Sequence, residues 1–266
     1  MRIVFLFLGW FVNIYFCLAQ SVIPSDSVRL NFSGQISDFG TDDFNQLYYI
    51  RNSVELNKFD YKTKELKSFS NRNILEDLNT QNILQLTLKS GFFNLLILDR
   101  MLNPVQDPID LSANPDFIAA LAAVVDNNYL WIFDPAREKL ILWNYRENKI
   151  IRESVILNDE DASAYYSGLF YTGNKIYLSG PDKILMFDEF ANLEKVIPVE
   201  AHDKIRLYGK QIFYSKGQKI YELDTKTAIA ESIEIGFDFD DFSINKDFLF
   251  VLKDKVVYIY NTQNLF

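Results

Sequence analysis

Cysteine, histidine and glycine-rich phosphate loops are what this 266-residue sequence has least of. Its one cysteine is Cys17 and its one histidine is His202. A single imidazole excludes a multi-histidine metal site and leaves oxygen ligands as the remaining option. No serine stands in a nucleophile-elbow context. The Gly-Pro-Asp turn at 180–182 and the Lys-Gly-Gln turn at 216–218 precede no helix that could cradle a phosphate, so both read as hairpin turns. Basic residues are outnumbered 27 to 36, for a net charge of −9. Such a surface repels nucleic-acid backbones and anionic lipid. Alanine-rich helical stretches are nearly absent, whereas 23 phenylalanines and 15 tyrosines favour strands.

The first nineteen residues read as an address. Arg2 supplies a positive start, residues 3–16 are apolar apart from Asn13, and Cys17-Leu18-Ala19 offers small residues for cleavage before Gln20. The expectation is a cleaved secretory signal peptide at 1–19 and a mature domain at 20–266, periplasmic or secreted, with no membrane span. An uncleaved anchor is the alternative, but the apolar run is short for one. Phe16 before Cys17 argues against lipidation. The mature chain then lacks cysteine, so an exported domain must rely on its core rather than on disulfides. Loss of Arg2 with the leader takes the net charge from −9 to −10.

A repeat organises the rest. An apolar strand, a polar turn, a second strand and then Asp or Asn recur along the chain. Tyr48 to Asp60, Ile176 to Asp188, Ile212 to Asp224 and Leu249 to Asn261 each span 12 positions; Leu130 to Asn144 spans 14 around Pro135. A degenerate sixth copy runs from Leu95 to Asp107, with Pro104 and Pro108 interrupting its second strand. The turn residues lie 36 to 47 apart, the length of a four-stranded propeller blade. Innermost strands are expected at 36–40, 84–88, 120–125, 166–171, 204–208 and 239–244. Outer strands are expected at 65–69, 150–157, 194–199 and 230–235. The last unit lacks a fourth strand, while 27–32 is a spare strand at the other end. A closed ring would use the second to complete the first. The fold expected is all-β, a six-bladed β-propeller with an N-terminal strand completing the last blade; five or seven blades is the alternative count.

These hairpins resemble those of exported six-bladed β-propeller proteins of Gram-negative bacteria, over residues 27–266. The resemblance rests on the hairpin pattern. Gly-His…Trp-Asp pairs, double-glycine kelch motifs, Tyr-Trp-Thr-Asp, Ser-x-Asp-x-Gly-x-Thr and Gly-Lys-x-x-Trp repeats are all missing, so it implies no reaction.

Candidate chemistry is sparse. His202, in Glu200-Ala-His-Asp203, reads as a solvated loop residue. Acidic clusters at Asp42-Asp43, Asp159-Glu160-Asp161 and Asp238-Phe-Asp-Asp241 lack the glycine spacing of a calcium loop and read as solubilising loops. Alignment on the hairpins puts Asp38, Gln85, Ser167, Arg206 and Asp241 at one equivalent position by the innermost strands, with Tyr166 adjacent. Together they would ring a central channel. Trp131, Trp143, Tyr48, Tyr49, Tyr177 and Tyr214 are expected to pack blade on blade. The function expected is a monomeric, non-catalytic exported propeller, without cofactor, that binds a protein or cell-envelope component. The alternative is a hydrolase, lyase or small-ligand (glycan) binder using channel carboxylates and Arg206. That alternative requires Asp38, Asp241 and Arg206 to converge.

Overall fold

In the computed structural model the residues described are 22–82, 84–157 and 166–265; the expected signal peptide and Asp159-Glu160-Asp161 lie outside them. The chain enters with β1 (Asp26–Arg29) and then lays down one blade after another. Blade one is β2 (Ile36–Thr41), β3 (Gln46–Arg51), β4 (Glu55–Asp60) and β5 (Leu66–Ser70). Blade two is β6 (Leu75–Asn79), β7 (Gln85–Ser90), β8 (Asn94–Asp99) and the short β9 (Ile109–Asp110). Blade three is β10 (Leu121–Val124), β11 (Tyr129–Asp134), β12 (Lys139–Asn144) and β13 (Lys149–Glu153). Blade four is β14 (Gly168–Thr172), β15 (Lys175–Ser179), β16 (Lys183–Asp188) and β17 (Leu193–Pro198). Blade five is β18 (Lys204–Tyr208), β19 (Gln211–Lys216), β20 (Lys219–Leu223) and β21 (Ala230–Glu234). Blade six is β22 (Asp241–Ile244), β23 (Phe248–Lys253) and β24 (Val256–Asn261), with β1 as its fourth strand.

Six antiparallel sheets of this kind form a six-bladed β-propeller. The ring closes as the sequence predicts: β1 pairs antiparallel with β24, Val28 opposite Val257. The pairing covers the edge that blade six would otherwise expose.

Burial follows radius within each blade. The second strands β3, β11, β15, β19 and β23 are buried over runs of four or more residues where those of an ordinary half-exposed strand would alternate; β8, the third strand of blade two, shares the pattern. Both faces of a middle strand meet a neighbouring blade, so both must be apolar. Outer strands such as β5 are mostly exposed. The core is accordingly divided into six apolar wedges between blades. The six aromatics expected to pack blade on blade are all buried in these wedges; Trp131 and Trp143 are each 1% exposed. Phe117 meets the Trp143 ring edge-on at 5.3 Å.

The twelve-residue step has a local cause. In every blade the third strand ends at or beside an Asp or Asn whose Oδ1 accepts backbone N–H groups of the following turn. Asp60 takes Lys62 and Thr63, Asp99 takes Met101 and Asn103, and Asn144 takes Arg146 and Glu147. Asp188, Asp224 and Asn261 do the same for their turns. Such Asx turns occupy donors that would otherwise be orphaned at the strand end.

Blade two corrects the sequence reading. Of residues 84–88, all but Leu84 belong to its second strand, and Leu95 lies in its third; the innermost strand is Leu75–Asn79. The turn residue is Asp99, not Asp107, and the prolines fall after it, where Pro104 bridges Leu98 and β9 shrinks to two residues. The physical reason lies in β6, whose sequence Leu-Glu-Asp-Leu-Asn is polar. A register shift between Glu76 and Asn79, with Asp77 at φ 55°, bulges it out of a regular pattern.

Candidate functional site

The innermost strands surround a channel of about 920 Å³. Its walls differ. Blades three and four contribute apolar surface from Leu121, Ala122, Gly168 and Phe170, whereas blades five, one and two contribute charge and blade six Ser243 and Asn245.

Asp38, Arg206 and Asp241 converge in this channel, as the small-ligand alternative required. Arg206 reaches from β18 to Asp241 Oδ1 at 2.8 Å and Oδ2 at 3.0 Å, and to Asp38 Oδ1 at 3.4 Å. Its Nε donates to the Phe242 carbonyl and its Nη2 to that of Phe39. Asp38 also accepts the N–H of Phe39 and, at 2.7 Å, the N–H of Leu78 that the bulge in β6 releases. One guanidinium thus ties blades five, six and one together, and Asp38 adds blade two. Burial pushes the Asp38 carboxyl above its ordinary range; Arg206 opposes that and Asp241 adds to it. Burial works against the Arg206 charge, but Asp241 and Asp38 outweigh it and hold the guanidinium above its ordinary pKa.

The register places this cluster near the face formed by the turns between second and third strands. Asp38 lies opposite Ile50, Asp241 opposite Leu252 and Lys204 opposite Ser215, each near the end of a second strand. Glu76 and Asp77 enter from the bulged strand, and Lys89 reaches Asp77 at 2.8 Å. Lys204 stands 3.7 Å from Asp241. His202, on the loop before β18 as predicted, lines the mouth with Nδ1 3.1 Å from the Glu200 carbonyl.

At the other end a strap crosses the channel. Gln81, in the loop after β6, donates Nε2 to the Leu207 carbonyl of the opposite blade at 2.6 Å. Beside it, Asp42 accepts Arg100 Nη1 and the Tyr48 hydroxyl, both at 2.9 Å, while Arg100 also contacts the Asn82 carbonyl. Burial, and next the Asp42 charge, push the Tyr48 phenol up; burial and then Asp43 push Tyr208 up to about 12.

Two expected channel residues sit elsewhere. Gln85 opens β7, a second strand, and lines a separate cavity of about 260 Å³ beneath blades two to four. Its displacement follows from the shifted start of blade two. Tyr166 stacks edge-on against Phe133 at 5.0 Å in the wedge between blades three and four. Ser167 does line the channel. The sequence reading missed Glu76, Asp77, Lys89 and Arg100. The first three lie on the strands displaced in blade two, and nothing local marked Arg100. Among the described residues no group of three or more His, Cys, Asp or Glu could hold a metal ion. No helix there is long and apolar enough to cross a membrane.

The same face carries an apolar arc. Val54, Ile74, Phe92, Phe93 and Ile118 are exposed, Phe92 at 84%. Backbone bonds make these positions neighbours: Leu75 N–H to the Ser53 carbonyl, Gly91 N–H to Ile74 and Leu111 N–H to Phe93. Lys89 joins the Ala120 carbonyl, close to Ile118. Ile74 itself lines the channel, so the arc runs into its mouth.

No protein-family model and no curated protein matches this sequence. Solved structures match by shape. A chain of the structure titled "Crystal Structure of Mitotic Checkpoint Complex" superposes with a TM-score of 0.59 at 8% identity, covering 98% of this chain and 99% of that one. A streptogramin B lyase superposes with a TM-score of 0.58 at 12% identity, over 90% of this chain and 87% of the other. The extracellular domain of the putative one-component system BT4673 from B. thetaiotaomicron gives 0.54 at 14% identity, over 87% of this chain and 34% of that one. At these identities the likeness is one of fold. A lyase and a member of a protein assembly share it, so the fold itself selects no function.

Proposed function

We propose that the protein is an exported, non-catalytic binding propeller that docks a protein or cell-envelope component on the face bearing the turns between second and third strands. The apolar arc of Val54, Ile74, Phe92, Phe93 and Ile118 carries this reading. Two adjacent phenylalanines on a hairpin tip have no role in the blade's own packing, and exposed clusters of this kind mark contact surfaces. The fold is commonly a protein-binding module, which agrees. Export rests on the leader-like residues 1–19, with the mature chain starting at Gln20 outside the cytoplasm.

The test is capture from a cell-envelope fraction by the mature chain, in parallel with a Phe92→Ser/Phe93→Ser variant. A partner retained by the first and lost by the second, with equal thermal stability of the two proteins, supports the reading. Equal capture by both would sink it.

A second reading has one observation in its favour. Asp38, Arg206 and Asp241 meet in a cavity large enough for a small ligand, such as a glycan, or for hydrolase or lyase chemistry. Their hydrogen bonds are largely spent on one another and on backbone N–H and carbonyl groups, which favours the docking face over this reading.

A further inference from the structure

From the charge and shape of the channel mouth we infer that the docked partner presents a lysine or arginine side chain, flanked by apolar residues, into the channel. This rests on the docking face proposed above. Near the mouth stand the carboxylates of Asp38, Glu76, Asp77, Asp203 and Asp241. Among the described residues the cations paired with them are Lys89, Lys204 and Arg206. The excess is negative, and a chain of net charge −9 adds to the same field.

The carboxylates differ in what already satisfies them. Asp38 and Asp241 hold Arg206, and Asp77 holds Lys89. Among the described residues the Asp203 carboxylate accepts only the Gly217 N–H, at 3.0 Å. The Glu76 carboxylate makes no hydrogen bond or ion pair among the described residues. Acceptor capacity is therefore left at the rim, at Glu76 on blade two beside the arc and at Asp203 on blade five. Between those two blades, Leu121, Ala122, Gly168 and Phe170 of blades three and four form a wall without charge. A long basic side chain suits both surfaces: its methylene stem packs on apolar groups while its head meets carboxylates. An anionic or purely apolar insert would leave the rim carboxylates desolvated without a counter-charge, at a cost in affinity. The channel's size, about 920 Å³, admits the tip of a loop as well as the one side chain. The Gln81 strap limits the insert to entry from this face.

The experiment is selection of a displayed random-peptide library on the mature chain, followed by synthesis of the enriched peptides. Expected are peptides with a lysine or arginine between apolar residues, whose capture fails on the Phe92→Ser/Phe93→Ser variant. Replacing that lysine with norleucine should weaken binding about tenfold or more, as should Glu76→Gln or Asp203→Asn in the protein. The norleucine arm needs no altered protein, so it holds even if a variant folds poorly. Enriched peptides that depend on Phe92 and Phe93 but bind equally well with norleucine, or that are acidic, overturn the basic insert and leave the docking face standing. Enriched peptides indifferent to Phe92 and Phe93, or no enrichment at all, overturn both.

Discussion

Replacing Arg206 with methionine removes the centre of the channel cluster while keeping much of the side-chain volume. The variant loses both contacts to Asp241, the contact to Asp38 and the bonds to the Phe242 and Phe39 carbonyls. Two carboxylates then face each other in a confined space, with Lys204 at 3.7 Å from Asp241 as the remaining nearby cation. Breaking a buried ion pair on one side costs about 3–5 kcal/mol, because the surviving charge is left desolvated. The Arg206 side chain keeps 23% of its exposure and that of Asp38 15%, so water relieves part of this. We expect the lower end, about 3 kcal/mol at neutral pH, or a fall in Tm of about 6–12 °C for a chain of this size.

The pH dependence gives a sharper check. In the wild-type protein the Asp38 carboxyl is already raised by burial, and Arg206 is what opposes the rise. Without Arg206 it moves higher still. A carboxyl whose folded pKa exceeds its unfolded one binds the extra proton in the native state. Stability is then greatest below the unfolded value and is lost as pH climbs through the folded one. The Arg206→Met deficit should therefore shrink on acidification from neutral pH toward the ordinary carboxylate range, in urea unfolding read by tryptophan fluorescence. Adding Asp38→Asn should restore part of the neutral-pH loss. A deficit below about 1 kcal/mol, or one that grows as the pH falls, would refute the account of a charge-linked cluster.

Two further outcomes test the frame. Deleting β1 leaves the Val256–Asn261 strand as an open edge, so the protein should self-associate or precipitate on size-exclusion chromatography; a stable monomer would contradict closure by that strand. Asn144→Ala removes the acceptor for the Arg146 and Glu147 N–H groups and should cost about 1 kcal/mol in chemical denaturation, whereas Asn144→Asp should be nearly neutral.

The legible part of the sequence was that in which local chemistry repeats. Four hairpins share a twelve-residue step, and a fifth takes fourteen, because each third strand ends at or beside an Asx turn, and that requirement writes Asp or Asn at a near-fixed distance from an apolar strand. Blade two obeys the rule too, since Thr87 to Asp99 is also twelve positions, with Gly91 at positive φ in the turn. The stronger apolar run Leu95-Leu-Ile-Leu, continuing into a proline-interrupted segment, drew the frame one strand too late. Asp38, Arg206 and Asp241 were found because their strands were framed correctly. Gln85 was misplaced, and Glu76 and Lys89 were missed, for the single reason that theirs were not. The arc of Phe92 and Phe93 left no periodic trace, because hairpin tips carry no alternation.

The channel charges fall into two sets once the seam is considered. Where blade six meets blade one, residues some two hundred positions apart are pinned together: Thr41 N–H to Ser243 Oγ at 3.0 Å, and Asn245 Nδ2 to the Asp42 carbonyl at 2.7 Å. Arg206 with Asp38 and Asp241 spans the same junction. These bonds lie at the inner radius, while β1 and β24 pair at the outer one. Bringing distant chain segments together carries a large entropy cost, and contacts at both radii oppose local opening of the ring there. Closure thus accounts for Arg206 and its two carboxylates. It accounts for neither Glu76 nor Asp203, which pin no blade to another across the seam, nor for the exposed phenylalanines on the same face. Residues that do nothing for the ring are the ones left to meet a partner, and they cluster on one face.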